Sequence, residues 1–130
     1  MKPVEQTVLG DQGNCFEACV ASLLEIPLED CNIFPDGVGL DSEADKASGR
    51  HWWIVFQEWL RLNHKRHPIY IMFSEMGGDK PKGYSIISGP GPRGLLHSTV
   101  GLDGEVAHDP HPSKAGLVSV RDYILFIQVK

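Results

Sequence analysis

The apolar positions of this chain change period once, about midway along it. Over residues 15–25, Phe16, Cys19, Val20, Leu23 and Leu24 recur at steps of three and four, and small Ala18 and Ala21 permit close packing. That spacing predicts a helix with one buried face. The turn-rich Gly10-Asp11-Gln12-Gly13-Asn14 precedes it, and Asn14 suits an N-cap, so the helix is expected to begin at or beside Cys15. Pro27 lacks an amide and disfavours helix in the residue before it, leaving residues 28–31 to make one further turn. Residues 35–49, with Pro35, several glycines and several acids, read as a surface loop. A second amphipathic helix is expected over about 50–63, where Trp52, Trp53, Phe56, Trp59, Leu60 and Leu62 include a stripe at helical spacing.

Beyond this the pattern becomes strand-like. Residues 68–74 are rich in β-formers, Gly77-Gly78 marks a turn, and 84–88 is a second short apolar run. The segment 89–94, Gly-Pro-Gly-Pro-Arg-Gly, reads as a breaker. Residues 95–102 and 105–108 flank Asp103-Gly104, a dipeptide that favours the primed turns of two-residue hairpins. A loop through Asp109, Pro110, His111 and Pro112 leads to a closing strand over 123–129. Helices first and then an antiparallel sheet predict an α+β fold, with N-terminal helices packed on the sheet.

Composition narrows the function classes. At 130 residues and 42% hydrophobic, the chain fits one folded domain spanning 1–130. A formal charge of -5 argues against nucleic acid and anionic membrane surfaces as partners, because both need clustered positive charge. The one basic cluster, His64-Lys65-Arg66-His67, reads as a solvated helix end. No run approaches the roughly 18 apolar residues of a membrane span, and no signal-peptide core follows the start. Three cysteines, Cys15, Cys19 and Cys31, form neither a CxxC pair nor a zinc-finger spacing, so free thiols and a cytoplasmic setting are expected.

Among them Cys15 is placed for chemistry. A thiol attacks as thiolate, and the unpaired amides of a helix start favour the anion. Cys19, one turn further in, reads as a small buried side chain. A nucleophile needs partners, and His97 at the start of the first hairpin strand and Asp109 at the end of the second supply them. In a hairpin turning at Asp103-Gly104, Leu102 pairs with Glu105 and His97 stands opposite Pro110, which sets Asp109 beside the imidazole. The Cys15 amide can give one oxyanion donor and a glutamine amide another; Gln6 and Gln12 both qualify, and Gln6 has more chain in which to turn back over the cysteine. Asn14, Gln12, Trp52 and Trp53 are candidates for substrate contact, although the aromatic face of the second helix is first of all core. A rival reading takes His97, His108 and His111 as metal ligands with Asp109, but prolines on both sides of His111 break any helical ligand spacing.

The stretch from Gln6 to Leu24 with its Gly-Asn-Cys, together with His97-Ser98-Thr99-Val100-Gly101-Leu102 and His108-Asp109-Pro110, resembles the papain-like cysteine peptidase clan, nearest to its C39-like bacteriocin-processing peptidases. The resemblance implies a papain-like fold and the roles of oxyanion donor, nucleophile, base and orienting carboxylate for Gln6, Cys15, His97 and Asp109. It implies a cysteine hydrolase, peptidase or amidase, acting on a peptide or protein without a cofactor. An acyltransferase on the same triad and a catalytically silent binding module for a peptide or host protein are the alternatives.

Overall fold

A computed structural model describes residues 1–10, 13–34 and 52–129. The expected loop over 35–49, Gln12 and the first residues of the predicted second helix lie outside that set. Helix α1 spans Cys15–Leu24 and is followed by a 3-10 turn at Leu28–Asp30, as the apolar spacing and Pro27 predict. Glu25 closes α1 in the left-handed region, φ 58°. Helix α2 spans Trp52–His64.

Five strands follow: β1 Arg66–Met72, β2 Tyr84–Pro90, β3 Leu96–Leu102, β4 Glu105–His108 and β5 Asp122–Gln128. All their pairings are antiparallel and the order across the sheet is β1-β5-β2-β3-β4. The fold is therefore α+β, as expected. Three local expectations are corrected. The basic cluster is split, because Lys65 takes φ 52° and turns the chain, so His64 ends α2 while Arg66 and His67 begin β1. Phe73 and Ser74 leave the strand for a 3-10 turn, Phe73–Met76, that stops at Gly77. Gly89 and Pro90 do not break β2 but pair with His97 and Leu96; the turn proper is closed by the Gly91 amide on the Leu95 carbonyl.

The last strand is also more central than its place in the sequence suggests. β5 inserts between β1 and β2, and buried Tyr123 and Ile124 lie in its paired half. Alternation divides the sheet. Ile86, Val100 and Ile124 pack on Phe16, Cys19 and Val20 of α1 and on Phe56 and Leu60 of α2, while Ile87, Thr99 and Tyr123 alternate with them and are buried on the other face. Both helices thus cover one face, and the start of α1 is carried against β3.

Asp103 and Gly104 turn the β3–β4 hairpin with φ 52° and 82°, the positive values of a primed turn. The hairpin is not regular. Leu102 faces Glu105 and Gly101 faces Val106, but Val100 faces His108, so Ala107 is an extra residue in β4 and the register shifts by one. Close packing at the other end of β3 depends on Gly89, where an added Cβ would lie 2.1 Å from the Ser119 carbonyl oxygen. Because that neighbour is backbone, Gly89→Ala is expected to cost about 1–3 kcal/mol in urea unfolding, from forced displacement of the 119–121 segment. An unchanged midpoint would show that the segment moves aside freely.

Candidate active site

β3 presents the imidazole and the loop after β4 presents the carboxylate. His97 Nε2 lies 2.7 Å from Asp109 Oδ1, and both side chains are buried. The bulge accounts for the meeting. Without it His97 would stand opposite Pro110, and Asp109, of the other parity, would point to the opposite face. Shifted by one, the register brings His111 opposite His97 and returns Asp109 to the imidazole's side. In agreement, the rings of His97 and His111 stand edge-on with centroids 6.1 Å apart. The expected neighbourhood is thus correct while the register behind it is not.

Asp109 is fixed at both oxygens. Oδ1 also accepts the His111 amide at 2.9 Å, and Oδ2 accepts the Gly116 amide at 2.7 Å. Burial by itself would raise its pKa, but His97 and these two amides outweigh burial and hold the carboxyl below its usual range. An ionised carboxylate only accepts, so the imidazole carries its proton on Nε2, and in the neutral ring Nδ1 has the free lone pair.

Cys15 occupies the first position of α1, half-buried, as the sequence predicts. The amides of Ser98, Phe16 and Cys15 itself favour its thiolate, and Ser98 is the residue next to His97. They do not prevail. Burial is the largest influence on the thiol and raises its pKa, and the Glu17 carboxylate raises it further. The expectation of a depressed thiol pKa is corrected here, because desolvation in this setting exceeds what the helix start returns. Cys19 and Cys31 are buried, the first raised well above the ordinary thiol value and the second pushed up to about 12, both chiefly by burial.

The N-terminal segment closes the other side. The Gln6 amide donates to the Pro110 carbonyl at 3.0 Å, and the Val4 carbonyl lies 2.9 Å from His108 Nε2. Val4 and Lys2 in turn donate to Ser22 of α1, to its hydroxyl and its carbonyl, so residues 2–6 bridge the helix and the Asp109 loop. The Gln6 side chain is buried and gives one N–H to the Val8 carbonyl at 3.0 Å, leaving the second N–H available. Its Oε1 has no partner among the described residues. Gly13 makes the space: a Cβ there would lie 3.5 Å from Gln6 Nε2 and 2.9 Å from two carbonyl oxygens. Gln6 therefore sits beside the turn that delivers Cys15.

Asn14 is the residue before α1 but does not cap it with its side chain. Its Oδ1 accepts the Thr7 and Val8 amides, both at 2.9 Å, and Nδ2 donates to the Thr7 hydroxyl. The expected helix cap is thus a clasp on the Gln6 segment, because the amides of that extended stretch are as unpaired as those of the helix. Trp52 meets Phe16 edge-on at 5.8 Å and Trp53 meets Tyr70 at 5.8 Å, which gives both a packing role; Gln12 lies outside the described residues. Of the histidines in the metal reading, His97 and His111 stay neighbours while the third turns away. His108 turns to Val4, His111 Nδ1 turns to Ser113, and among the described residues no three His, Cys, Asp or Glu side chains gather as a metal set. Two open hollows, one along α2 by Ile54, Arg61 and Leu62 and one by Glu25 and Arg66, are lined by none of Cys15, His97 and Asp109.

Two features escape the sequence reading. Gly116 holds Asp109 across a seven-residue loop, with no periodic signal to reveal it. Glu17, in the first turn of α1, is the other: burial raises its carboxyl to about 7, although an acid at that position ordinarily faces water. Comparison with protein-family models, with curated proteins and with solved structures finds no match.

Glu17 generates a pH-dependence. Its folded value, about 7, lies above the ordinary 4.5, so between these the folded chain keeps a proton that the unfolded chain has lost. Stability from this group therefore falls as pH rises through that window and levels off above it. Glu17→Gln is expected to gain melting temperature over the native chain as pH goes from about 5 to about 8, and to lower the apparent pKa of Cys15 alkylation. Parallel melting curves across that range would rule out the raised Glu17 carboxyl.

Proposed function

We infer that the chain is a cysteine hydrolase, a peptidase or amidase of papain-like design, working through Cys15, His97 and Asp109 with Gln6 as an oxyanion donor. The observation that carries this is the buried His97–Asp109 pair, its proton fixed on Nε2, on the strand whose next residue's amide favours the Cys15 thiolate. A carboxylate so completely hydrogen-bonded leaves the imidazole one free nitrogen, and the start of α1, where the Ser98 amide meets Cys15, offers a thiol.

The raised thiol pKa shapes the mechanism. Cys15 rests as a thiol and loses its proton to His97 Nδ1 as sulfur attacks the substrate carbonyl carbon. The oxyanion takes hydrogen bonds from the Cys15 amide and the spare Gln6 N–H. When the carbon–nitrogen bond breaks, His97 passes its proton to the leaving nitrogen. Water, deprotonated by His97, then attacks the thioester, releases the carboxylic acid and restores the thiol. An amine in place of water would make the same site an acyltransferase. Peptides or proteins are the substrates in this reading, and free thiols suit action in the reducing cytoplasm.

A second reading is favoured by the same raised pKa: a groove that keeps the papain-like grouping and binds a peptide without cleaving it. What separates them is whether His97 Nδ1 reaches Cys15 Sγ in action. With p-nitrophenyl acetate as a generic acyl donor, mass spectrometry should find acetyl on Cys15 alone. His97→Gln and Asp109→Asn should slow acetylation roughly 10²-fold or more, Gln6→Ala roughly 10²-fold, and Cys15→Ser should abolish it. Acetylation at the same rate in His97→Gln would end the hydrolase reading in favour of the binding module.

A further inference from the structure

The flank of His97 that meets the 91–95 turn and the 109–116 loop carries side chains the mechanism above does not use. Arg93 is exposed in the turn between β2 and β3, yet its guanidinium is folded back. Nη1 donates to Ser113 Oγ at 3.1 Å. Nη2 lies 3.8 Å from the point where a Cβ would stand on Gly91, and that same point is 3.1 Å from His97 Cβ. The absence of a side chain at Gly91 thus lets the guanidinium lie close against the histidine's own strand.

Ser113 links Arg93 to His111. Its hydroxyl is 2.9 Å from His111 Nδ1 and its amide donates to the same nitrogen at 3.0 Å. Nδ1 is therefore the lone-pair nitrogen of His111, and in the neutral ring the proton sits on Nε2. Burial, and then the charge of Arg93, hold His111 below its usual pKa. Lys114, the other cation of this loop, is already occupied: it pairs with Glu5 and donates to the Asp109 carbonyl at 2.8 Å. Arg93 has no carboxylate partner among the described residues. In a chain of net charge -5, an arginine held by a serine beside a buried histidine and left without an acid is set for an anion from outside.

We propose that Arg93 forms a carboxylate subsite beside His97, which takes an acidic group on the leaving-group half of an acyl substrate. The assignment to that half rests on the hydrolase reading, in which His97 protonates the leaving nitrogen, so groups flanking its ring meet what departs. The carboxylate is either the free C-terminus of a peptide or an Asp or Glu side chain, and both present the same planar pair of oxygens to the guanidinium fork.

The test uses the full chain and two thiol reagents of similar size, anionic iodoacetate and neutral iodoacetamide, with Cys15 alkylation followed by mass spectrometry. The iodoacetate-to-iodoacetamide rate ratio should fall at least about threefold in Arg93→Gln, recover in Arg93→Lys, and fall with added salt in the native chain. Protection of Cys15 by acetyl-Ala-Ala-Ala with a free carboxylate but not by its amide would name the C-terminus. Protection by acetyl-Ala-Asp-Ala-amide would name the side chain, and protection by none of them would overturn the peptide-carboxylate assignment. A ratio equal in the native chain and Arg93→Gln overturns the subsite. The two readings separate: a flat ratio with normal acetylation of Cys15 removes the subsite alone, whereas an Arg93-dependent ratio without acetylation removes the hydrolase and keeps the anion site.

Discussion

One extra residue in β4 sets how the His97–Asp109 pair forms. Ala107 stands unpaired between Val106 and His108, and the register of the β3–β4 hairpin moves by one across it. Side chains in a ladder alternate with period two, so a one-residue shift exchanges the faces of everything beyond. Asp109 thereby comes to the side of His97, while His108 turns to the Val4 carbonyl. The same shift sets His111 edge-on to His97 and makes the 109–116 loop a wall of the site.

The site is held by backbone more than by side chains. Asp109 is tied by the His111 and Gly116 amides, Gln6 by the Pro110 and Val8 carbonyls, and the Gln6 segment by Asn14. Glycines admit these approaches: Gly13 beside Gln6, Gly89 opposite His97, and Gly91 beside the His97 Cβ. A rigid carboxylate and a rigid imidazole have little freedom left to lose, which suits the roles of base and orienting group proposed for them. The thiol is treated otherwise. Burial and Glu17 keep Cys15 protonated, so it is quiet until something draws its proton.

That combination bears on how such a thiol is guarded. A free, half-buried thiol with a raised pKa resists stray oxidation, because the thiolate is the oxidisable form. Burial raises the Glu17 carboxyl to about 7, two residues along α1, so the electrostatic surroundings of Cys15 change close to neutral pH.

The sequence by itself determined most of the elements and named the candidate residues. Period-three-to-four spacing gave α1 and the body of α2, Asp103-Gly104 gave the hairpin, and a cysteine at a helix start with a histidine and an aspartate near strand ends marked Cys15, His97 and Asp109. The signals for the elements are local: each is written in about a dozen residues, where propensity and turn chemistry act. Tertiary structure alone decided the rest. Nothing local places β5 between β1 and β2, shifts the hairpin at Ala107, sends Asn14 to the Gln6 segment or returns Gly116 to Asp109. The sign of the Cys15 shift belongs to the same class, since desolvation depends on what the whole fold packs around a group and not on its neighbours in the chain.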